Sequence, residues 1–118
     1  MSAQTRIAYK VLTSGQFARW QAEDFFAGAP VDLADGFIHL STAGQLSGTL
    51  DKHFAGQSGL VIAAIDLVML GAAVSWEPSR CGDLFPHVYA KLPMAAVHAY
   101  GPVVRDATGE VLLPDRAS

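Results

Sequence analysis

The stretch from Gly36 to Thr42, G-F-I-H-L-S-T, decides what fold and what site this chain of 118 residues is expected to have. Its apolar residues are typical of a short buried strand, in which alternation places His39 and Ser41 on one face and the aliphatic residues beside them on the other. Residues 42–45 then match a T-x-x-Q capping box, which predicts a helix directly behind the strand. His39 is therefore a polar ring in an apolar strand, close to two hydroxyl groups.

The rest of the chain predicts helices and strands interspersed around that stretch. Period-2 alternation predicts a first strand at about residues 6–12, then a helix that Ser14 caps and that ends near Gly28, and then a loop at 31–35. The continuous apolar run at 60–65 predicts a central strand buried on both faces. The remaining predicted elements are strands at 74–77, 85–89 and 97–104, a helical turn at 92–95, and a C-terminal hairpin or tail at 106–118. Together they predict one α+β domain over residues 1–118.

Composition narrows the kind of partner. The formal net charge is −3 and the eight basic residues are scattered, which argues against nucleic acid and against anionic membranes as partners. The apolar runs are far shorter than the roughly 20 residues that span a bilayer. A single cysteine, Cys81, excludes an internal disulfide, and the polar N-terminus has no leader pattern. We therefore expect a cytoplasmic protein whose partner is a small molecule.

Two further segments carry candidate site residues. In W-E-P-S-R at residues 76–80, Glu77 could orient a sugar hydroxyl or act as a base, and Arg80 could pair with a phosphate. In L-F-P-H-x-Y at residues 84–89, alternation places His87 and Tyr89 on one face of a strand, where they could line a ligand site.

Each of these residues also has a structural interpretation. His39 is equally well explained as a core histidine bonded to the backbone, and Glu77 with Arg80 as a surface ion pair. Tyr89 could simply pack in the core. Ser41 and Thr42 lie where helix N–H groups point outward and could bind an anion, but one of them is needed as the helix cap.

Motifs for metal and nucleotide sites of other kinds are missing from the sequence. No H-x-x-x-H, C-x-x-C or H-x-E spacing occurs, so we predict no metal site. No G-x-G-x-x-G, P-loop or G-x-S-x-G motif occurs either, which excludes the Rossmann, Walker-type and α/β-hydrolase classes.

Three segments together resemble a bacterial family known as domain of unknown function nine-fifty-two: D-G-F-I-H-L-S-T-A-x-Q at residues 35–45, W-E-P-S-R and L-F-P-H-x-Y. The similarity extends over about residues 6–105. That family is thought to be related to the ADP-ribosyltransferase fold, so the resemblance implies a split mixed or antiparallel sheet with two main helices.

The resemblance also implies roles for individual residues, with NAD as the cofactor. His39 would contact the nicotinamide ribose, and Ser41 or Thr42 the same sugar or its amide. Tyr89 or His87 would flank the nicotinamide, with Phe85 as the alternative aromatic, and Glu77 would be the polarising carboxylate. Arg80 is the possible counterpart of the arginine of the NAD-dependent phosphotransferases. The implied catalytic residues are His39, Glu77 and His87; the implied ligand-binding residues are Ser41, Thr42, Arg80, Phe85 and Tyr89.

Two functions from different classes follow. The first is a binder of an NAD-like or ADP-ribose-like nucleotide, with an NAD-dependent transferase as its catalytic form, in which nicotinamide is released through an oxocarbenium-like state. The second is a non-catalytic module that binds a small molecule or a protein and in which the histidine cluster is structural.

Overall fold

The apolar run that begins at Leu60 lies at the centre of a three-stranded antiparallel sheet. In the computed structural model, which describes residues 5–116, this strand pairs with an N-terminal strand on one side and with a strand near the C-terminus on the other. Ala63 and Ile65 point into one core cluster, while Ile62 and Ala64 point into a second cluster on the opposite face. All four are fully buried, so the predicted central strand buried on both faces is confirmed.

The described residues form four α-helices and eight strands, joined by short 3-10 turns. The helices are α1 Ser14–Glu23, α2 Pro30–Asp35, α3 Leu46–His53 and α4 Leu67–Leu70. The strands are β1 Ile7–Thr13, β2 Phe25–Phe26, β3 Ile38–His39, β4 Leu60–Asp66, β5 Val74–Pro78, β6 Leu84–Val88, β7 Leu92–Pro93 and β8 Val97–Pro102. Within residues 5–116, no helix is long and apolar enough to cross a bilayer.

Two three-stranded sheets and one strand pair make up the β-structure. The first sheet has the order β1-β4-β8, the second β3-β6-β5, and β2 pairs with β7. Every pairing between these strands is antiparallel. The predicted α+β class is therefore confirmed, with antiparallel sheets where mixed or antiparallel pairing was expected.

A backbone bridge between Tyr9 and Ser41 joins the two larger sheets. The N–H of Tyr9 in β1 donates to the carbonyl oxygen of Ser41 at 2.7 Å, and the N–H of Ser41 donates back to Tyr9 at 2.9 Å. Ser41 lies two residues beyond the end of β3, so the predicted polar stretch sits at the junction of the sheets. The side chains that follow β3 and those of β1 consequently face a common space.

The segment predicted as a loop at 31–35 is a helix, and this prediction was wrong. Pro30 occupies the first turn of α2, where a missing N–H costs nothing and the fixed φ favours helix. The carboxylate of Asp32 accepts a hydrogen bond from the N–H of Ala29 at 2.8 Å. This bond provides a partner for a backbone donor at the N-terminus of α2, where no serine or threonine acts as the cap. Gly36 then ends α2 with φ of +89°, a left-handed conformation that glycine adopts without strain.

The first helix also differs from its prediction at both ends. Thr13 is the cap, because its Oγ accepts the N–H of Gln16 while Gln16 accepts the N–H of Thr13, so Ser14 is already inside the helix. The helix ends at Glu23 and not near Gly28, since Asp24 adopts a left-handed φ of +70° and directs the chain into β2. Residues 92–95, predicted as a helical turn, begin as β7 before the turn at Met94–Ala96.

Candidate functional site

A cleft of about 540 Å³ lies at the junction of the two sheets. Residues from β1, from the start of α2, from β3, from the second half of α3 and from β6 line it, which brings together segments that are far apart in sequence. Four of the predicted site residues line this cleft: His39, Ser41, Phe85 and His87. The other polar lining residues include Lys10, Thr13, Gln16, Asp35, Thr49, Lys52, His53 and Gln57.

His39 is held between two carboxylates. Its Nδ1 lies 2.6 Å from Oδ1 of Asp32, and its Nε2 lies 2.9 Å from Oδ2 of Asp35. The backbone N–H of His39 also donates to Asp32 at 3.1 Å. A carboxylate only accepts, so the ring completes both bonds only as a donor at each nitrogen. The interpretation of His39 as a core histidine bonded to the backbone does not describe this arrangement.

Asp32 is the centre of a buried ionic network that the sequence did not reveal. Its carboxylate is 1% exposed and lies 2.9 Å from Nζ of Lys10, which itself donates to the carbonyl oxygen of His39 at 3.1 Å. Gly28, with φ of +129°, approaches so closely that an added Cβ would lie 2.9 Å from Cβ of Asp32. Lys10, Asp32 and the backbone around Gly28 therefore fix the position of the His39 ring.

Burial and charge act in opposite directions on this network. Burial alone would raise the pKa of Asp32, but the hydrogen bond from His39 and the charge of Lys10 lower that pKa from 3.8 to about 2. Burial lowers the pKa of Lys10, and the nearby Asp32 carboxylate offsets part of this effect. The pair remains stable as an ion pair because each partner compensates the buried charge of the other.

His87, Glu77 and Tyr89 form a second cluster on neighbouring strands. Nδ1 of His87 lies 2.7 Å from Oε1 of Glu77, and the hydroxyl group of Tyr89 donates to the same oxygen at 2.8 Å. The bond from His87, followed by that from Tyr89, lowers the pKa of Glu77, and the bond to Glu77 raises the pKa of Tyr89. Because Tyr89 is 52% exposed, the alternative that it packs in the core was wrong.

The ring of Phe37 connects the two histidines. It stacks on His87 with a centroid distance of 4.1 Å, lies 4.7 Å from the ring of His39 and 5.4 Å from that of Tyr89. His39 and His87 are direct partners in the pairing of β3 with β6, and their rings meet edge to face at 5.4 Å. Four of the predicted residues, His39, His87, Glu77 and Tyr89, thus form one cluster around Phe37. Glu77 and Tyr89 are not among the residues that line the cleft.

The two hydroxyl residues after β3 separate into different environments. Ser41 is buried in the cleft wall, and its Oγ lies 2.8 Å from Oγ1 of Thr49 in α3. Thr42 is not a lining residue; its N–H donates to Oε1 of Gln45 at 2.9 Å, as expected at the start of a helix. The side chain of Arg80 lies outside the described part of the chain, so its predicted phosphate contact stays a prediction.

Sequence reasoning missed the three residues that hold His39, namely Lys10, Asp32 and Asp35, and also the lining residues of α3, namely Thr49, Lys52 and His53. Asp32 was hidden because 31–35 was interpreted as a loop. Lys10 was assigned to the polar face of a half-buried strand, yet it is 5% exposed within a strand whose central residues are buried on both faces. A lysine at the middle of such a strand requires a buried acid, and that requirement is the signal that could have pointed to this network.

These features define the class of the protein: an α+β domain in which two antiparallel sheets enclose a cleft whose wall includes two histidines that are each bound to a carboxylate. The family described as "Protein of unknown function (DUF952)" matches residues 11–100. The chain belongs to this family, as the three sequence segments indicated.

Solved structures of protein CC0527 from Caulobacter crescentus are similar over nearly the whole domain. Its crystal structure is 40% identical in sequence, with 92% of this chain and 96% of that chain covered and a TM-score of 0.82. Its solution NMR structure is 41% identical, with coverage of 89% and 90% and a TM-score of 0.76. No curated protein matches the chain.

Proposed function

We propose that the cleft binds an NAD-like or ADP-ribose-like nucleotide. The observation that carries the proposal is the convergence on one cleft of two sequence segments more than 40 positions apart, one supplying His39 and Ser41 and the other Phe85 and His87. The volume of about 540 Å³ is within the range of ordinary ligand sites, and the walls combine apolar surface with a few placed polar groups.

The chemistry of the walls supports the same ligand class. Hydroxyl groups of a ribose would meet Ser41 and Thr49, which already form a hydroxyl pair at 2.8 Å. Lys52 and His53, at the C-terminal end of α3 and exposed at the cleft, would attract phosphate groups. The aromatic ring of Phe85 offers a surface against which a base or nicotinamide would pack.

An ADP-ribosyltransferase-like fold and reaction form the finer part of this proposal. The reaction would break the bond between nicotinamide and ribose, with nicotinamide leaving with the bonding electrons, and a nucleophile of the acceptor or water would form the new bond to the same ribose carbon. A nearby carboxylate would stabilise the oxocarbenium-like state between the two. Of the predicted carboxylates, Glu77 would supply that charge. A cytoplasmic location belongs to the same proposal, because NAD is a cytoplasmic metabolite and Cys81 is an exposed free thiol.

The position of Glu77 favours a second candidate, a module that binds a small molecule without turnover. Its carboxylate is engaged by His87 and Tyr89 and does not line the cleft. A carboxylate in that position stabilises the orientation of His87 and does not reach a ligand. Incubation with NAD labelled in the nicotinamide separates the two candidates: release of free nicotinamide supports the transferase, and stable binding of intact NAD supports the module.

Thermal unfolding and calorimetry with NAD and with ADP-ribose test the shared proposal. Millimolar ligand should raise the melting temperature of the wild type, and His39→Ala should abolish that rise when each protein is compared with its own ligand-free state. His98→Ala is the matched control, because His98 is exposed on β8 and lies outside the cleft. If neither nucleotide shifts the melting temperature of the wild type, the proposal fails.

A further inference from the structure

One residue of the cleft wall has a buried ring nitrogen for which the described part of the chain supplies no hydrogen-bond partner. Among the described residues, two buried side-chain polar atoms lack a hydrogen bond: Nε1 of Trp20 and Nε2 of His87. Trp20 belongs to a core cluster and is not a lining residue. His87 lines the cleft although its side chain is only 5% exposed. An unpartnered polar atom at a ligand cleft, held in a buried ring, requires an explanation.

The hydrogen bond on the other side of the ring determines what this nitrogen can do. Nδ1 of His87 is 2.7 Å from a carboxylate oxygen of Glu77, which accepts and cannot donate. The hydrogen of the neutral imidazole is therefore on Nδ1, and Nε2 presents a lone pair. His39 is different, since both of its nitrogens already face carboxylate oxygens at 2.6 and 2.9 Å. Of these two imidazoles, it is His87 that has a ring nitrogen without a hydrogen-bond partner among the described residues.

We infer that Nε2 of His87 accepts a hydrogen bond from a hydroxyl or amide group of the ligand that enters the cleft. Glu77 is the positioning residue for this contact, because its carboxylate fixes the hydrogen on the far side of the ring, and stacking on Phe37 at 4.1 Å fixes the plane of the ring. The inference rests on the proposed function only in placing the ligand in this cleft. It specifies that the ligand carries a hydrogen-bond donor at the His87 side.

The protonation state of the ring can be measured without a ligand. Nitrogen NMR of the full chain labelled with ¹⁵N-histidine distinguishes a ring nitrogen that carries hydrogen from one that does not. We expect hydrogen on Nδ1 of His87 and none on Nε2. In Glu77→Gln this preference should weaken, because the amide can offer either an acceptor or a donor to Nδ1.

Two substitutions of His87 separate a ligand contact from a structural role. Asparagine places its amide near the position of Nδ1 and keeps a partner for Glu77, whereas glutamine extends its amide toward the position of Nε2. If Nε2 contacts the ligand, His87→Gln should retain affinity for ADP-ribose and His87→Asn should lose about three- to tenfold, the effect of one hydrogen bond. A purely structural role predicts the opposite order, since asparagine preserves the internal bond.

The same NMR signal, followed during addition of ADP-ribose, NAD, nicotinamide or ribose 5-phosphate, completes the test. A change at Nε2 of His87 with any of these probes supports the inference. A response to nicotinamide identifies an amide as the donor, and a response to ribose 5-phosphate identifies a hydroxyl group. If nicotinamide or ribose 5-phosphate causes the change while NAD and ADP-ribose do not bind, the inference stands and the proposed function fails. If ADP-ribose binds without a change at Nε2, the proposed function stands and the inference is overturned. Hydrogen on Nε2 in the free protein, or no response to any probe, also overturns it.

Discussion

Replacing Asp32 by asparagine should be among the most destabilising single-atom changes in the domain. Both carboxylate oxygens of Asp32 accept only from donors: Nζ of Lys10, Nδ1 and the backbone N–H of His39, and the backbone N–H of Ala29. An asparagine offers one oxygen to this set and directs its own N–H₂ group at another donor. It also leaves the ammonium group of Lys10, which is 5% exposed, without a countercharge.

The expected loss in the free energy of unfolding follows from the charge of Lys10, which stays buried after the substitution. Removing one partner of a buried ion pair costs about 3 to 5 kcal/mol, because the other charge stays desolvated and unpaired. For a domain of about 100 residues this corresponds to a fall in melting temperature on the order of 15 to 25 °C. Lys10→Met tests the cause: in that background Asp32→Asn should cost much less, since no buried ammonium group remains.

The dependence on pH provides an independent test of the same carboxylate. Folding lowers the pKa of Asp32 from 3.8 to about 2, a difference that corresponds to about 2 kcal/mol of stability. Since the folded pKa is the lower one, this contribution is present above about pH 4 and is lost as the pH falls toward about 2. The stability difference between wild type and Asp32→Asn should therefore narrow by about 2 kcal/mol over that range.

Urea unfolding followed by tryptophan fluorescence measures both effects, because Trp20 is 1% exposed in the core and will report its loss of burial. Asp35→Asn is the matched control: Asp35 also contacts His39, but its side chain is 48% exposed and it faces no buried lysine. We expect that variant to stay within about 1 kcal/mol of the wild type. A cost below about 1 kcal/mol for Asp32→Asn, or a difference from wild type that does not change with pH, would refute the reasoning.

Three further predictions concern other parts of the molecule. Gly28→Ala should lower the free energy of unfolding by about 1 to 3 kcal/mol, because φ is +129° and the new Cβ would lie 2.9 Å from Cβ of Asp32; urea unfolding measures the change. Thr13→Ala should lower the free energy of unfolding by about 0.5 to 2 kcal/mol, whereas Ser14→Ala should leave it nearly unchanged. Equal losses in the two variants would contradict the assignment of Thr13 as the cap. Glu77→Gln should lower the pKa of Tyr89 toward its ordinary value, which a titration of ¹³C-tyrosine by NMR would show; an unchanged pKa would mean that the hydrogen bond is not formed in solution.

The elements that were predicted correctly carry their signal within a few residues. The side chains of the continuous apolar run at 60–65 are removed from water only if both faces of the strand are buried, and β4 is indeed the central strand of its sheet. The alternation around His39 placed its ring and Ser41 on a common face, and both line the cleft. In these cases, local periodicity determines which side of the chain meets the core.

The parts that could not be predicted depend on contacts between distant residues. Lys10 and Asp32 are 22 positions apart, and no local sequence pattern predicts that their side chains form an ion pair. The bond between Glu77 and His87 depends on the register of β5 against β6, in which Ser75 is opposite His87. Register is set by the assembled sheet and not by either strand alone, so the sequence indicated both residues without indicating that they bind each other.

The buried network around Asp32 is better explained by the position of His39 than by stability. An apolar pair in place of Lys10 and Asp32 would avoid the desolvation of two charges, but it would leave the backbone N–H groups of Ala29 and His39 without their acceptor. What an apolar pair cannot do is hold an imidazole by its Nδ1 and by its backbone N–H and carbonyl groups, as Asp32 and Lys10 together do. A histidine that is held at one ring nitrogen and at both of its backbone polar groups is oriented before any ligand arrives, which lowers the entropic cost of binding there. Lys10→Met/Asp32→Leu should therefore lose the rise in melting temperature with ADP-ribose under conditions in which urea unfolding shows that the variant is folded, and a rise equal to that of the wild type would contradict this explanation.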